Sequence, residues 1–291
     1  MTKKSIALGV FDGLHAAHMA VLQEAGSRGQ EAGFTPSAML FPVHPAALLA
    51  GRAPPRLLMD EARDAMLRHM GLELLFVPFG EIHTLEPEVF VRDILVGRFG
   101  AGALACGYDY HFGKNAKGGA ALLRALCDEY GLGFSVVPEM DYRGEAISSS
   151  RIRAALAEGN LADANAMLGR AFGYTLPVIE GGRIGRTLGA PTLNQMFQPG
   201  FCVPKHGVYQ SETYIQNRWR PSVTNIGLRP SVDTQRRLRS ETHVPGFAGD
   251  LYGREIAVRL LRFVREERAF GSLEELKEQI MRDIETLKGY A

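Results

Sequence analysis

The run Ser5-Ile6-Ala7-Leu8 is short, apolar and uncharged, like a buried strand of a parallel sheet. It leads directly into Gly9-Val10-Phe11-Asp12-Gly13-Leu14-His15-Ala16-Ala17-His18. Beyond it, Met19 to Ala32 is rich in Ala, Gln, Glu and Leu, which are helix formers. A glycine-bearing turn therefore joins a strand to a helix that carries two histidines in its first turn. This junction constrains the fold more than any other stretch. Strand, tight turn and helix N-terminus is where α/β sheets hold phosphates, because free N–H groups and the helix dipole face the ligand. His15 and His18 are three apart and share a helix face, so both can reach one anion.

The same alternation continues to about residue 168. Strands are predicted over Pro36–Phe41, Glu73–Val77, Ala103–Cys106 and Phe134–Val137. Helices are predicted over Asp60–Met70 with Asp60 as N-cap and Gly71 as C′, from Pro87 to about Val96, over Gly119–Tyr130, from a Ser148–Ser150 cap to Leu156, and over Leu161–Leu168. Strand and helix in turn imply an α/β domain, a doubly wound parallel sheet of about five strands covered on both faces. After Gly169 the pattern changes to short β-prone runs separated by Gly, Pro and Asn: Tyr174–Ile179, Gly207–Tyr214, Ser222–Ile226, Glu241–Val244 and Glu255–Phe263. That is the pattern of a small antiparallel barrel. A last helix, Leu273–Leu287, is capped by Ser272 and bears the apolar stripe Leu276, Ile280, Ile284 and Leu287. The expected domains are 1–171 and 172–291.

A chain of 291 residues is long enough for two domains. A formal charge of +1 argues against nucleic-acid binding, which needs a basic face. Cys106, Cys127 and Cys202 lie far apart without a C-x-x-C, so neither a zinc ribbon nor a disulfide framework is indicated. Met1-Thr2-Lys3-Lys4 resembles a signal n-region, but Asp12 ends the apolar run early, and no run reaches membrane-spanning length. The expectation is a cytoplasmic protein acting on small molecules, with no membrane or nucleic-acid partner; oligomeric state is not addressed by sequence.

Neither G-x-x-x-x-G-K-[ST] nor a post-strand G-x-G-x-x-G is present, so phosphate must be handled by other means. Candidate groups follow the strands: Gly9, Phe11 and Gly13 with His15 and His18; Phe41-Pro42-Val43-His44-Pro45; and Gly107-Tyr108-Asp109-Tyr110-His111-Phe112-Gly113. Ser148-Ser149-Ser150-Arg151-Ile152-Arg153 adds hydroxyls, helix-start N–H groups and two guanidiniums suited to phosphate oxygens. This order resembles nucleotidylyltransferases with an H-x-G-H motif, in which a substrate phosphate attacks the α-phosphorus of ATP. A phosphate is already anionic at neutral pH, so positioning and charge neutralisation suffice. In the second half, Gly181-Gly182-Arg183-Ile184-Gly185-Arg186-Thr187-Leu188-Gly189-Ala190-Pro191-Thr192-Leu193-Asn194 can close a backbone over phosphates. Thr192 and Asn194 offer oxygens two apart, suited to Mg²⁺. Phosphorylating an alcohol calls for a carboxylate beside the nucleophile, and Glu241 in Arg239-Ser240-Glu241-Thr242-His243 is the candidate.

Taken together, G-V-F-D-G-x-H, S-S-x-R-I-R, G-R-T-L-G-x-P-T-x-N, Thr224-Asn225-Ile226-Gly227, Gly249-Asp250-Leu251-Tyr252-Gly253 and the helix after Phe270-Gly271-Ser272 occur in one order over nearly the whole chain. In this the chain resembles the bacterial bifunctional riboflavin kinase/FAD synthetase family. The resemblance implies an N-terminal nucleotidylyltransferase-like domain that makes FAD from FMN and ATP. It also implies a C-terminal Greek-key barrel that phosphorylates riboflavin to FMN, both steps using ATP and Mg²⁺. Carried over by position, His15 and His18 act on ATP phosphates with Ser149, Arg151 and Arg153. Gly185, Arg186 and Gly189 hold the kinase's ATP, Thr192 and Asn194 its Mg²⁺, and Glu241 is its base. Asp109 and Asn225 contact the flavin. Ala17 stands where the family has the glycine of H-x-G-H, and His111 where it has arginine. Two other readings stay open at this level: a riboflavin kinase with an inactive first domain, and a non-catalytic flavin- or nucleotide-binding regulator.

Overall fold

The computed structural model describes residues 2–181, 191–230 and 236–289. The chain divides into two compact units, Met1–Ser149 and Ser150–Ala291. In the first, strands β1 (Lys4–Leu8), β2 (Thr35–Leu40), β3 (Glu73–Phe76), β4 (Ala101–Gly107) and β5 (Gly133–Val137) form a parallel sheet in the order β3-β2-β1-β4-β5. Alternate residues of β1 and β4 explain the two covered faces. Ile6, Leu8, Leu104 and Cys106 join one core with the π-helical turn Phe90–Arg98 and helix α6 (Ala120–Tyr130). Ala7 and Ala105 join the other with α1 (Ala16–Ala32) and α3 (Asp60–His69). This is the doubly wound sheet read from the sequence. Short helices α2 (Pro45–Leu49), α4 (Phe79–Ile82) and α5 (Pro87–Val89) lie between, and β6 (Asp141–Tyr142) and β7 (Glu145–Ala146) make a small hairpin.

Some local expectations need correction. Met59, not Asp60, is the N-cap of α3 and makes no side-chain cap; Asp60 sits in the first turn and pairs with Arg56 at 2.8 Å and Arg63 at 3.1 Å. A carboxylate there still favours the helix through its dipole. Gly71 does take the left-handed conformation (φ 80°) expected just past the helix end.

In the second unit α7 (Ser149–Glu158, whose first residue belongs to the first unit) and α8 (Leu161–Leu168) precede a closed barrel. Its strands are β8 (Phe172–Ile179), β9 (Thr192–Met196), β10 (Gly207–Ile215), β11 (Arg218–Pro230), β12 (Arg236–His243) and β13 (Glu255–Arg265), in the order β10-β11-β12-β9-β8-β13. The meander β10-β11-β12 returning to β9 is the Greek key. Barrel strands begin at Phe172, but α8 packs with the barrel: the Asn165 amide accepts from Phe172 N at 2.7 Å and donates to Leu260 O at 3.0 Å. Thr192–Met196, read from sequence as part of a glycine loop, is a strand; it pairs with both β8 and β12. Gln216 and Asn217, both at positive φ, turn β10 into β11. Inside the barrel, Ser211, Ser222, Thr224 and Thr242 form a ladder of hydroxyl bonds of 2.8 Å. Helix α9 (Leu273–Glu285) follows, with Ser272 as N-cap accepting from Glu275 N.

Candidate active sites

In the first unit the strand order reverses direction at β1 and β4, and the crevice between their carboxyl ends is the usual ligand site of an open α/β sheet. The Gly9–Leu14 turn lies there. Phe11 (φ 54°) and Leu14 (φ 45°) hold left-handed conformations with fully buried side chains, a strained backbone of the sort concentrated at functional sites. Gly13 (φ 83°) packs against Leu57, whose Cβ would stand 2.7 Å from a Cβ at this position. Asp12 pins the turn from both sides: Oδ1 accepts from Leu57 N at 3.2 Å, and its carbonyl accepts from Ser149 Oγ at 3.0 Å.

His15 is the N-cap of α1, and its Nδ1 accepts the His18 N–H at 3.3 Å. That bond leaves the neutral ring's proton on Nε2. The two imidazoles stack with centroids 3.6 Å apart and planes 17° from parallel. Burial first, and then the adjacent His15 ring, hold the His18 pKa well below 6.5, while His18 Nδ1 is buried without a hydrogen-bond partner among the described residues. The unfolded chain therefore binds the proton at higher pH than the folded chain does. Folding stability is complete above the unfolded value of 6.5 and is lost as pH falls below it. Thermal melts of the full chain from pH 7.5 down to 5 should show this loss, and His18→Asn should reduce the slope. An identical slope in the variant would rule out His18 as its source.

Gly9, Phe11, His15, His18, Asp109 and Ser149 all line one cavity of about 610 Å³, a size suited to a nucleotide or flavin. Ala17 lines it as well, whereas Gly13 does not: its role is in the turn. Sequence reasoning found only part of the aromatic wall. Phe41, Phe79, His83, Phe90, Tyr110 and Phe112 supply it, with Phe79 edge-on to Phe41 at 5.5 Å and Tyr110 stacked on Phe112 at 5.8 Å. Phe41, Tyr110 and Phe112 belong to the post-strand segments named from sequence, whereas Phe79 and Phe90 carry no motif and read alone as ordinary core. His111 is exposed, and its Nδ1 turns back to Asp109 O at 2.7 Å. Arg151 and Arg153 follow Ser149 on α7, within the second unit; burial lowers the Arg153 pKa, and the Cys202 thiol opposes that shift.

In the barrel, strand register assembles the second set. Glu241 on β12 is paired with Asn194 on β9 and with Asn225 on β11. Paired residues project to the same face, and neighbouring strands are about 4.8 Å apart, so the three side chains form a row roughly 10 Å long. Their strand neighbours Gln195, Ser240, Thr242 and Thr224 are fully buried inside the barrel, which puts the row on its outer face. Thr192 lies two residues before Asn194 on that same face, opposite His243, whose Nδ1 is 2.9 Å from Pro191 O. A Cβ at Gly181 would collide with the Asn194 amide, so the glycine leaves a cradle in which that amide is buried. Gly185, Arg186 and Gly189 lie outside the described residues.

The family model for FAD synthetase matches residues 1–151, and that for riboflavin kinase matches residues 168–291. A bifunctional riboflavin kinase/FMN adenylyltransferase of Escherichia coli (strain K12) is 36% identical over 282 residues, 96% of this chain and 90% of that protein. Proteins of the same name from Bacillus subtilis (strain 168) and Pseudomonas fluorescens are each 32% identical, covering 97% and 98% of this chain and 90% and 92% of theirs. Among solved structures, a Streptococcus pneumoniae protein called a macrolide-efflux protein superposes with a TM-score of 0.89 at 26% identity, over 100% of this chain and 95% of that one. Among the described residues here, no helix is long and apolar enough to cross a membrane.

Proposed function

The chain belongs to the bifunctional riboflavin kinase/FMN adenylyltransferase family, and on that premise we propose that it is the transferase that converts riboflavin to FMN and FMN to FAD. The first step is riboflavin + ATP → FMN + ADP, assigned to 172–291. The second is FMN + ATP → FAD + pyrophosphate, assigned to 1–171. The observation that carries the reading is that two site constellations differ in the way the two reactions differ.

The nucleophile of the kinase step is an alcohol, which needs a proton acceptor, and the outer barrel row has a carboxylate, Glu241, between two carboxamides. Thr192 and Asn194 present neutral, hard oxygens, one of them in the cradle at Gly181; that donor set fits Mg²⁺, which keeps its remaining sites for waters and phosphate oxygens. When bound there, Mg²⁺ would offset the negative charge of the ATP phosphates. The nucleophile of the second step is the FMN phosphate, anionic at neutral pH because its second pKa is about 6. The cavity of the first unit supplies N–H groups at the start of α1, two imidazoles and an aromatic wall that shields bound flavin and adenine rings from water. His15 and His18 orient the ATP phosphates with uncharged rings, Ser149 supports them, and Asp109 contacts the ligand from the β4 loop.

Incubation of the full chain with riboflavin, ATP and Mg²⁺, followed by chromatography, should yield FMN and then FAD. His18→Ala should stop the second product while the first accumulates. FMN without any FAD at high wild-type enzyme would leave a kinase alone, and no FMN would leave a non-catalytic binder. We further propose a cytoplasmic enzyme with small-molecule partners and no nucleic-acid or membrane partner, a reading supported by the +1 charge and the three buried, unpaired thiols.

A further inference from the structure

Asn225 projects from the same barrel face as Glu241 and directly beside it, and its amide is held from the other side by a residue that the motifs do not single out. Asn225 Nδ2 donates to Glu267 Oε1 at 3.2 Å; Glu267 lies just past the end of β13. A carboxylate can only accept, so the bond fixes which way the amide faces. Asn225 Oδ1 is then left buried with no hydrogen-bond partner among the described residues. A buried, unpaired acceptor on a strand is unfavourable unless something supplies a donor. Gly227, two residues further along the same face, is part of the arrangement. A Cβ there would collide with the Glu267 carboxylate, so only glycine lets the carboxylate lie across the strand to reach Asn225.

We propose that Glu267 is a positioning residue for riboflavin phosphorylation: it locks the Asn225 amide so that Oδ1 accepts a hydrogen bond from a ribityl hydroxyl of riboflavin beside Glu241. The proposal rests on the kinase reading of this face. The ligand chemistry follows from the orphan atom, which needs a donor. It also follows from the neighbour, since the hydroxyl that Glu241 serves belongs to a chain of further hydroxyls, and the next strand is within reach of them. Glu267 itself never touches the reacting atoms.

The test is the steady-state kinase reaction of the full chain with Glu267→Ala, Glu267→Gln and Gly227→Ala, together with riboflavin and lumiflavin binding read by flavin fluorescence. Lumiflavin carries the ring system without the ribityl chain. Glu267→Ala should raise the riboflavin KM about tenfold, with the KM for ATP unchanged. Gly227→Ala should do the same by displacing the carboxylate, a flexible group that can move without unfolding the strand. Glu267→Gln should recover most of the loss, since its amide oxygen still accepts from Asn225, and lumiflavin affinity should not change in any variant. An unchanged riboflavin KM in Glu267→Ala would overturn the proposal, as would equal losses in the Ala and Gln variants or parallel weakening of lumiflavin. Wild-type protein that makes no FMN would instead remove the kinase reading on which it stands.

Discussion

Glu241→Gln lowers riboflavin phosphorylation by roughly 10² to 10⁴-fold, the range for a lost general base, while riboflavin still binds. A ribityl hydroxyl ionises far above neutral pH, so its proton must move to a neighbouring acceptor as the oxygen attacks phosphorus. Glutamine matches glutamate in shape and keeps its place in the cross-strand row between Asn194 and Asn225, so substrate contacts there persist. It cannot take the proton. The measurement is FMN formed from riboflavin and ATP, together with riboflavin affinity by fluorescence. Near-normal turnover would retire Glu241 as the base, and lost binding with unchanged kcat would make it a contact residue. The corresponding substitution has no counterpart in the first unit, because a phosphate nucleophile has no proton to give up at neutral pH.

How much of this was legible without coordinates depends on the range of the signal. The Gly9–His18 junction was legible because a strand, a turn and a helix start are contiguous, and the stacked His15–His18 pair follows from a spacing of three. The aromatic wall was legible only in part: Phe41 and Phe112 lie in post-strand segments, but Phe79 and Phe90 join them only through the fold. Thr192 and Asn194 were found as oxygen donors, but the glycines before them hid the strand that carries them, and with it the register that sets Asn194 opposite Glu241. The polar interior of the barrel was equally hidden. Ser211, Thr213, Ser222, Thr224 and Thr242 are fully or nearly fully buried, and their hydroxyls satisfy one another in pairs that span different strands. Alternation tells which residues share a face and is silent on which face is inside.

Asp283→Ala destabilises the second unit by about 3 kcal/mol, near the lower end for breaking a buried ion pair. The sequence pattern assigned α9 to packing through Leu276, Ile280, Ile284 and Leu287, yet these are only half-buried, and among the helix's described side chains the buried ones are Gln279 and Asp283. The carboxylate of Asp283 takes a bidentate grip from Arg265 at the end of β13, Nε to Oδ1 at 3.0 Å and Nη2 to Oδ2 at 2.6 Å, and Gln279 adds a third bond at 2.8 Å. Asp283 is 4% exposed, so removing it strands a guanidinium and an amide donor beside the barrel. The Arg265 side chain keeps 23% of its exposure and can turn partly to water, which sets the expected loss at the lower end. One turn on, Thr286 O accepts from Gln210 Nε2 on β10, so the helix end loses its alignment together with the ion pair. At about 3 °C per kcal/mol for a unit of this size, the melting temperature should fall by roughly 10 °C. The double variant Arg265→Met/Asp283→Leu should recover much of that fall, because it removes both charges and fills the space. A single-variant loss below about 1 kcal/mol would make the pair an ordinary surface contact, with α9 held by its apolar stripe alone.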